Sequence, residues 1–275
     1  MKIKELFKKS PVISLEIFPP KPESPVDTVL DTIEALSDLK PDFISVTYGA
    51  GGSSRSHTLK IADIIKNKYN IEALAHLTCV NSTKNDVAGI LKELKDYDIE
   101  NILALRGDIP QNEDFDILAK RDFKYAKDLV NYIRESEDFC IGGACYPEGH
   151  IECSDNISDL HHLKDKVNNG VDFLITQLFF DNNLFYDFKE KLDILGINIP
   201  VSAGIMPVIN KKQIERITNL CGSSIPLKFR RILDKYEHNS EALKEAGVAY
   251  AIEQIIDLLS SGVDGIHFYT MNRSE

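Results

Sequence analysis

Apolar residues recur along this chain in two alternating rhythms. Short runs of almost continuous apolar character are separated by longer stretches whose apolar positions return every three or four residues. The first kind reads as buried strand and the second as amphipathic helix. A short lead-in helix is expected over 2–9, from the spacing of Ile3, Leu6 and Phe7. Strands are then expected at 12–18, 43–47, 72–78, 101–106, 139–145, 173–177, 199–203 and 265–270. Between them the pattern predicts helices at 26–39, 56–68, 84–95, 121–135, 156–169, 183–194, 210–220 and 241–260, with 221–239 irregular. Eight strands, each but the last followed by helix, specify an α/β fold, a (β/α)8 TIM barrel. No linker or low-complexity tract divides the chain, so residues 1–275 read as one domain.

Composition narrows the function classes. Hydrophobic content of 43% and charged content of 27% suit a soluble globular protein. A net charge of −11 argues against nucleic-acid binding, which needs a basic face to neutralise phosphates. No apolar run approaches the length of a membrane span. The lysine-rich start lacks the apolar stretch of a secretory signal. Five scattered cysteines suggest free thiols, and the expected location is cytoplasmic.

In such a barrel the carboxyl ends of the strands share one mouth. Here those ends carry Glu16, Thr47-Tyr48, His76, Arg106-Gly107-Asp108, Tyr146, Gln177 and Tyr269. Two acids and an arginine beside apolar walls favour a ligand site over ordinary solvated strand ends. The segment Leu103 to Asp108 is the clearest case, an apolar run that delivers a charged pair and a glycine to one spot before Pro110. The loop Gly49-Ala50-Gly51-Gly52-Ser53-Ser54 only approximates a dinucleotide fingerprint and reads better as a tight turn or backbone phosphate contact. Cys140 and Cys145 lie at opposite ends of one strand, roughly 16 Å apart, and cannot share a metal. Cys145, His150 and Cys153 are still able to meet, although no metal is expected. His161 and His162 are adjacent on a helix, so at most one faces the ligand. No activated nucleophile motif occurs, and chemistry with these residue types leans on a cofactor.

The motifs at the strand ends resemble those of the methylenetetrahydrofolate reductase family, in its flavin-dependent, bacterial form. They include Leu15-Glu16-Ile17-Phe18-Pro19-Pro20-Lys21, Ser45-Val46-Thr47-Tyr48-Gly49-Ala50 and His76-Leu77-Thr78-Cys79. The likeness continues through Ala104-Leu105-Arg106-Gly107-Asp108, Tyr146-Pro147-Glu148-Gly149-His150 and Ile175-Thr176-Gln177-Leu178-Phe179-Phe180-Asp181. It closes on Gly204-Ile205-Met206-Pro207-Val208 and His267-Phe268-Tyr269-Thr270-Met271-Asn272-Arg273. The resemblance implies bound FAD, NADH or NADPH as electron donor, and reduction of 5,10-methylenetetrahydrofolate to 5-methyltetrahydrofolate. It implies flavin contacts from Thr47, Tyr48, His76, Arg106, Gly107, Asp108, Tyr146, His150, Asp159 and Lys166. His162 stands at a flavin position that is often asparagine in relatives. Glu16 matches the general acid, Asp108 and Gln177 the pterin-binding residues, and Arg273 a folate contact. To hold a proton near neutrality, Glu16 would have to be raised by desolvation above the usual value of about 4.3.

Two rivals remain from the sequence: another pterin or one-carbon barrel enzyme of the methyltransferase type, and a non-catalytic barrel subunit of a larger complex. The pattern also leaves the helix after strand eight missing, so the outer face of strand one needs other cover. The lead-in helix is expected to hide part of it, and a second copy or a partner protein the rest.

Overall fold

Eight parallel strands close into a barrel in chain order, β1 pairing with β8. The strands are β1 Val12–Ile17, β2 Phe43–Val46, β3 Glu72–Thr78, β4 Asn101–Leu105, β5 Cys140–Cys145, β6 Phe173–Thr176, β7 Val201–Ile205 and β8 Gly265–Tyr269. The structure, a computed structural model, describes residues 1–9, 11–21, 23–48, 55–80, 82–108 and 121–275. The glycine loop 49–54 and the Ile109-Pro110 stop of the fourth strand lie outside the described residues. Around the barrel run α1 Leu30–Ser37, α2 Arg55–Asp63, α3 Lys84–Asp96, α4 Ala126–Ser136 and α5 Asn156–Asn168. They continue with α6 Asn182–Ile194, α7 Lys211–Cys221, α8 Leu227–Tyr236 and α9 Ser240–Ser260.

The two-residue period of each strand sorts its side chains. Leu15 and Ile17 of β1 join the large outer core between sheet and helices. Val12, Ser14 and Glu16 take the other parity, and register pairs Ser14 with Phe43 and His267, and Glu16 with Ser45 and Tyr269. The interior is stratified. Its floor is an apolar cluster of Val12, Phe43, Leu74, Leu103, Cys140 and Phe173. Above it stand buried polar groups, among them Ser14, Ser45, His76, Ser202 and His267.

The lead-in segment corrects one expectation. It is a 3-10 helix, Ile3–Lys9, and it seals the floor of the barrel rather than covering the outside of β1. Ile3 is fully buried in the floor cluster, with Leu6 and Phe7 packed against it. Asn101 at the start of β4 fixes the plug: its Oδ1 accepts from Ile3 N at 2.7 Å and its Nδ2 donates to Met1 O at 3.1 Å. The outer face of β1 and β8 instead borders an apolar groove of about 320 Å³ between α1 and α9, lined by Ile13, Leu15, Leu36, Ile255 and Phe268. After β8, residues 271–275 form no helix.

Three boundaries also move, each for a local reason. The helix expected from 121 begins at Ala126, because the Asp128 carboxylate accepts from the N–H groups of Lys124 and Tyr125 and pins Tyr125 extended. The seventh strand runs later than expected, since Pro200 has no N–H to offer the ladder and contributes only its carbonyl, to Leu174 N. The stretch expected to be irregular holds α8, which buries Phe229 and Leu233. Together with Leu178, Phe180, Met206 and Val208 from beyond β6 and β7, they form a small second core capping that side of the mouth. Gly247 lets α9 lie against it, for a Cβ there would meet Val208 O at 1.7 Å.

Candidate active site

Glu16 is the deepest acid at the mouth, 6% exposed near the end of β1. Three neighbouring strands supply its surroundings. His267 Nε2 lies 3.5 Å from Glu16 Oε2, His76 Nε2 lies 3.4 Å from the same oxygen, and Ser45 Oγ donates to it at 3.5 Å. Behind His267, Nδ1 sits 2.8 Å from Ser14 Oγ. That contact fixes the ring so that Nε2 faces Glu16. His76 Nε2 is buried but makes no hydrogen bond within the chain.

Electrostatics here run against the expectation for Glu16. Burial pushes its carboxyl up. The hydrogen bond from His267, electrostatic attraction to the His76 and His267 rings and the Ser45 hydroxyl push it down and prevail, so its pKa is lowered. Desolvation pulls His76 down to about 4, with Glu16 only partly opposing, and the ring is neutral at pH 7. Burial also raises the Tyr269 phenol well above its usual value, and its hydroxyl donates to Thr176 O at 2.6 Å.

A second group of predicted residues gathers beside β4 and β5. Arg106, Tyr146, His150, Asp159, His162 and Lys166 line one cavity of about 550 Å³, with Tyr125, Lys127 and Glu152. Tyr146 and His150 stack edge to face, with ring centroids 4.6 Å apart. Desolvation raises Asp159 and lowers Lys166, whose Nζ donates to Ala144 O. Of the adjacent histidines only His162 lines the cavity. Gly107 turns the chain at φ +84°, and a Cβ there would meet Thr78 Cβ at 2.9 Å, so both backbone and space demand glycine. It leaves Asp108 exposed at the rim. Gln177, half-buried, accepts from Leu178 N through Oε1 at 2.9 Å. Thr47 and Tyr48 follow β2, and Thr58 Oγ1 donates to Thr47 O at 2.9 Å.

Arg273 is not brought to this group; it lines the outer groove between α1 and α9. Cys145 is buried and Cys153 half-buried, both as free thiols, and no metal-binding cluster occurs among the described residues. Sequence reasoning did not single out His267, Ser14, Ser45 or Glu152. Ser14 and His267 were open to it, since they share the parity of Glu16 and Tyr269 on their strands, while Ser45 is linked to Glu16 only by the register of β1 and β2. Glu152 lies in a turn and carried no such signal.

This donor set suits a flavin dinucleotide: an arginine and a buried lysine for the diphosphate, aromatic walls, and an unpartnered His76 nitrogen. The sequence matches the family model for methylenetetrahydrofolate reductase over residues 2–275. It is 36% identical over 263 residues to the 5,10-methylenetetrahydrofolate reductase of Escherichia coli K12, covering 96% of this chain and 87% of that protein. Similarity to methylenetetrahydrofolate reductase (NADH) 1 of Arabidopsis thaliana is 37% over 94% of this chain, but spans only 46% of the plant protein. Among solved structures, a Clostridium thermocellum protein described as binding two copies of 5-methyl-5,6,7,8-tetrahydrofolic acid superposes with TM-score 0.62 at 17% identity. That match covers 97% of this chain and 92% of the other and speaks for the fold alone.

Proposed function

The chain belongs to the methylenetetrahydrofolate reductase family, and from that premise we propose that it reduces 5,10-methylenetetrahydrofolate to 5-methyltetrahydrofolate with FAD as cofactor and NADH or NADPH as donor. The observation that carries the reading is a buried acid among two histidines, together with a cavity past the ends of β4 and β5 that bears Arg106 and Lys166. Arg106 and Lys166 would hold the diphosphate, with Tyr146, His150, Asp159 and His162 around it and Thr47, Tyr48, His76 and Gly107 toward the ring system. FAD, when bound, supplies the hydride.

The chain's own residues handle the proton and the pterin. The substrate's five-membered ring opens to an iminium before its methylene carbon accepts hydride, and opening needs a proton on the departing nitrogen. Glu16 is the acid in this reading. Its carboxyl is held low in the uncovered mouth; a pterin seated above it would displace water and strengthen the burial that pushes it up. His267, anchored by Ser14, holds the carboxylate in orientation. Asp108 accepts from two donors on the pterin edge, and Gln177 offers its amide nitrogen to an acceptor there. Arg273 would meet the folate only by leaving the outer groove. We assign the enzyme to the cytoplasm, where its five free thiols persist.

Stopped-flow analysis of the two half-reactions tests this. Glu16→Gln should retain FAD, identified by mass spectrometry of the heat-released cofactor, and should keep reduction by NADH or NADPH near wild type. Reoxidation by methylenetetrahydrofolate should be lost. A variant that reoxidises within about tenfold of wild type would show that Glu16 is not the acid, since acid catalysis contributes roughly 10²–10⁴-fold.

A further inference from the structure

The cavity that would take the diphosphate already holds an anion of its own. Arg106 leaves β4 with its guanidinium turned onto Glu152: Nη1 lies 2.5 Å from Oε2 and Nη2 lies 2.8 Å from Oε1. This is the two-pronged fork with which arginine also grips phosphate. The other cations lining the cavity are engaged elsewhere. Lys166 donates to the Ala144 carbonyl, and Lys127 lies 3.4 Å from Asp165. Arg106 is therefore the natural seat for an incoming phosphate, and a carboxylate sits on it.

Glu152 is placed to leave. Its side chain is 53% exposed, so rotation brings the carboxylate into water without crossing the core. The turn that carries it is fixed by other atoms. Glu152 N donates to His150 Nδ1 at 3.1 Å, and Cys153 N donates to His150 O at 2.8 Å. Losing the carboxylate leaves both bonds in place.

We propose that Glu152 is an internal substitute for cofactor phosphate, which holds Arg106 in its binding pose while the cavity is empty and swings out when a phosphate-bearing ligand arrives. The proposal rests on the flavin-dinucleotide reading of the cavity. Loading then exchanges one arginine–anion pair for another, so Arg106 adds little net affinity, and the cofactor is held less tightly than the cavity would allow. A flavin without phosphate has no claim on Arg106 and leaves the pair intact. The acid thus sets affinity by competition rather than by contact.

Titration of apoprotein with FAD, riboflavin and inorganic pyrophosphate tests this, by flavin-fluorescence quenching and by calorimetry. Glu152→Gln and Glu152→Ala should bind FAD and pyrophosphate roughly two- to fivefold tighter, the range expected for release of one half-exposed ion pair. Riboflavin affinity should not move, and Glu152→Asp, which keeps the charge, should stay closer to wild type than either. Unchanged or weaker FAD and pyrophosphate binding in both neutral variants would overturn the proposal. So would an equal change for riboflavin, the mark of a rearranged loop. Wild-type protein that takes no flavin would instead remove the flavin reading, with the pyrophosphate arm still deciding the role of Glu152.

Discussion

Replacing His76 with glutamine should make the fold more resistant to acid. The ordinary pKa of 6.5 applies to the unfolded chain, whereas burial pulls the folded value down to about 4. Protonation therefore favours the unfolded state. The stability that neutral His76 allows is complete above the unfolded value and drains away as pH falls from 6.5 toward 4. At about 1.36 kcal/mol per pH unit, that gap corresponds to roughly 3 kcal/mol. Glu16 pushes the same way at lower pH, because its carboxyl is also held low in the fold and loses its favourable contacts on protonation. His76→Gln removes the first contribution, together with the part of the Glu16 shift that His76 supplies, and leaves the part held by His267 and Ser45. At pH 7.5 the exchange should change stability by no more than about 1 kcal/mol, since the Nε2 it deletes has no hydrogen-bond partner in the chain. Urea denaturation between pH 7.5 and 4.5 reads the difference. Wild type should lose about 2–3 kcal/mol more than the variant across that interval. Parallel profiles would refute the reasoning, because they would mean that His76 is not buried in its neutral form.

Two further outcomes follow from the architecture. Ile3→Ala should cost about 2–5 kcal/mol in urea denaturation, as expected for emptying a fully buried site in the floor; a loss under about 1 kcal/mol would mean that the plug is dispensable. The groove between α1 and α9 is expected to be covered by a second copy or a partner chain. Sedimentation of the purified protein, alone and with co-purifying chains, checks this, and a stable monomer at micromolar concentration, fully active with NADH alone, removes it.

The barrel was legible because strands and helices announce themselves by period, and eight alternations leave few ways to close a sheet. The mouth residues were legible for a related reason. Once strand ends are located, Glu16, His76, Arg106 and Tyr146 fall at equivalent places on different strands. What escaped was whatever depended on distance in space rather than rhythm. The charged residues Lys228, Arg230, Arg231 and Asp234 masked the apolar face of α8, which becomes visible only when Phe180 and Met206 are seen beneath it. The destination of the lead-in helix was likewise invisible, since its apolar side fits a barrel floor as well as a barrel flank; the Asn101 side chain decides between them. The direction of the Glu16 shift required knowing that two histidines flank it, and His267 lies 251 residues away along the chain.

The sealed floor makes the barrel a vessel with a single opening. Ile3, Phe43 and Phe173 close the lower end with apolar surface. Proton traffic to Glu16 therefore uses the same opening as the substrate. A molecule bound across the mouth would act as its own stopper, isolating the acid from bulk water for as long as it stays. Recharging Glu16 would then belong to the interval between one occupant and the next, and a solvent isotope effect on that interval would separate from any effect on the chemistry beneath the stopper.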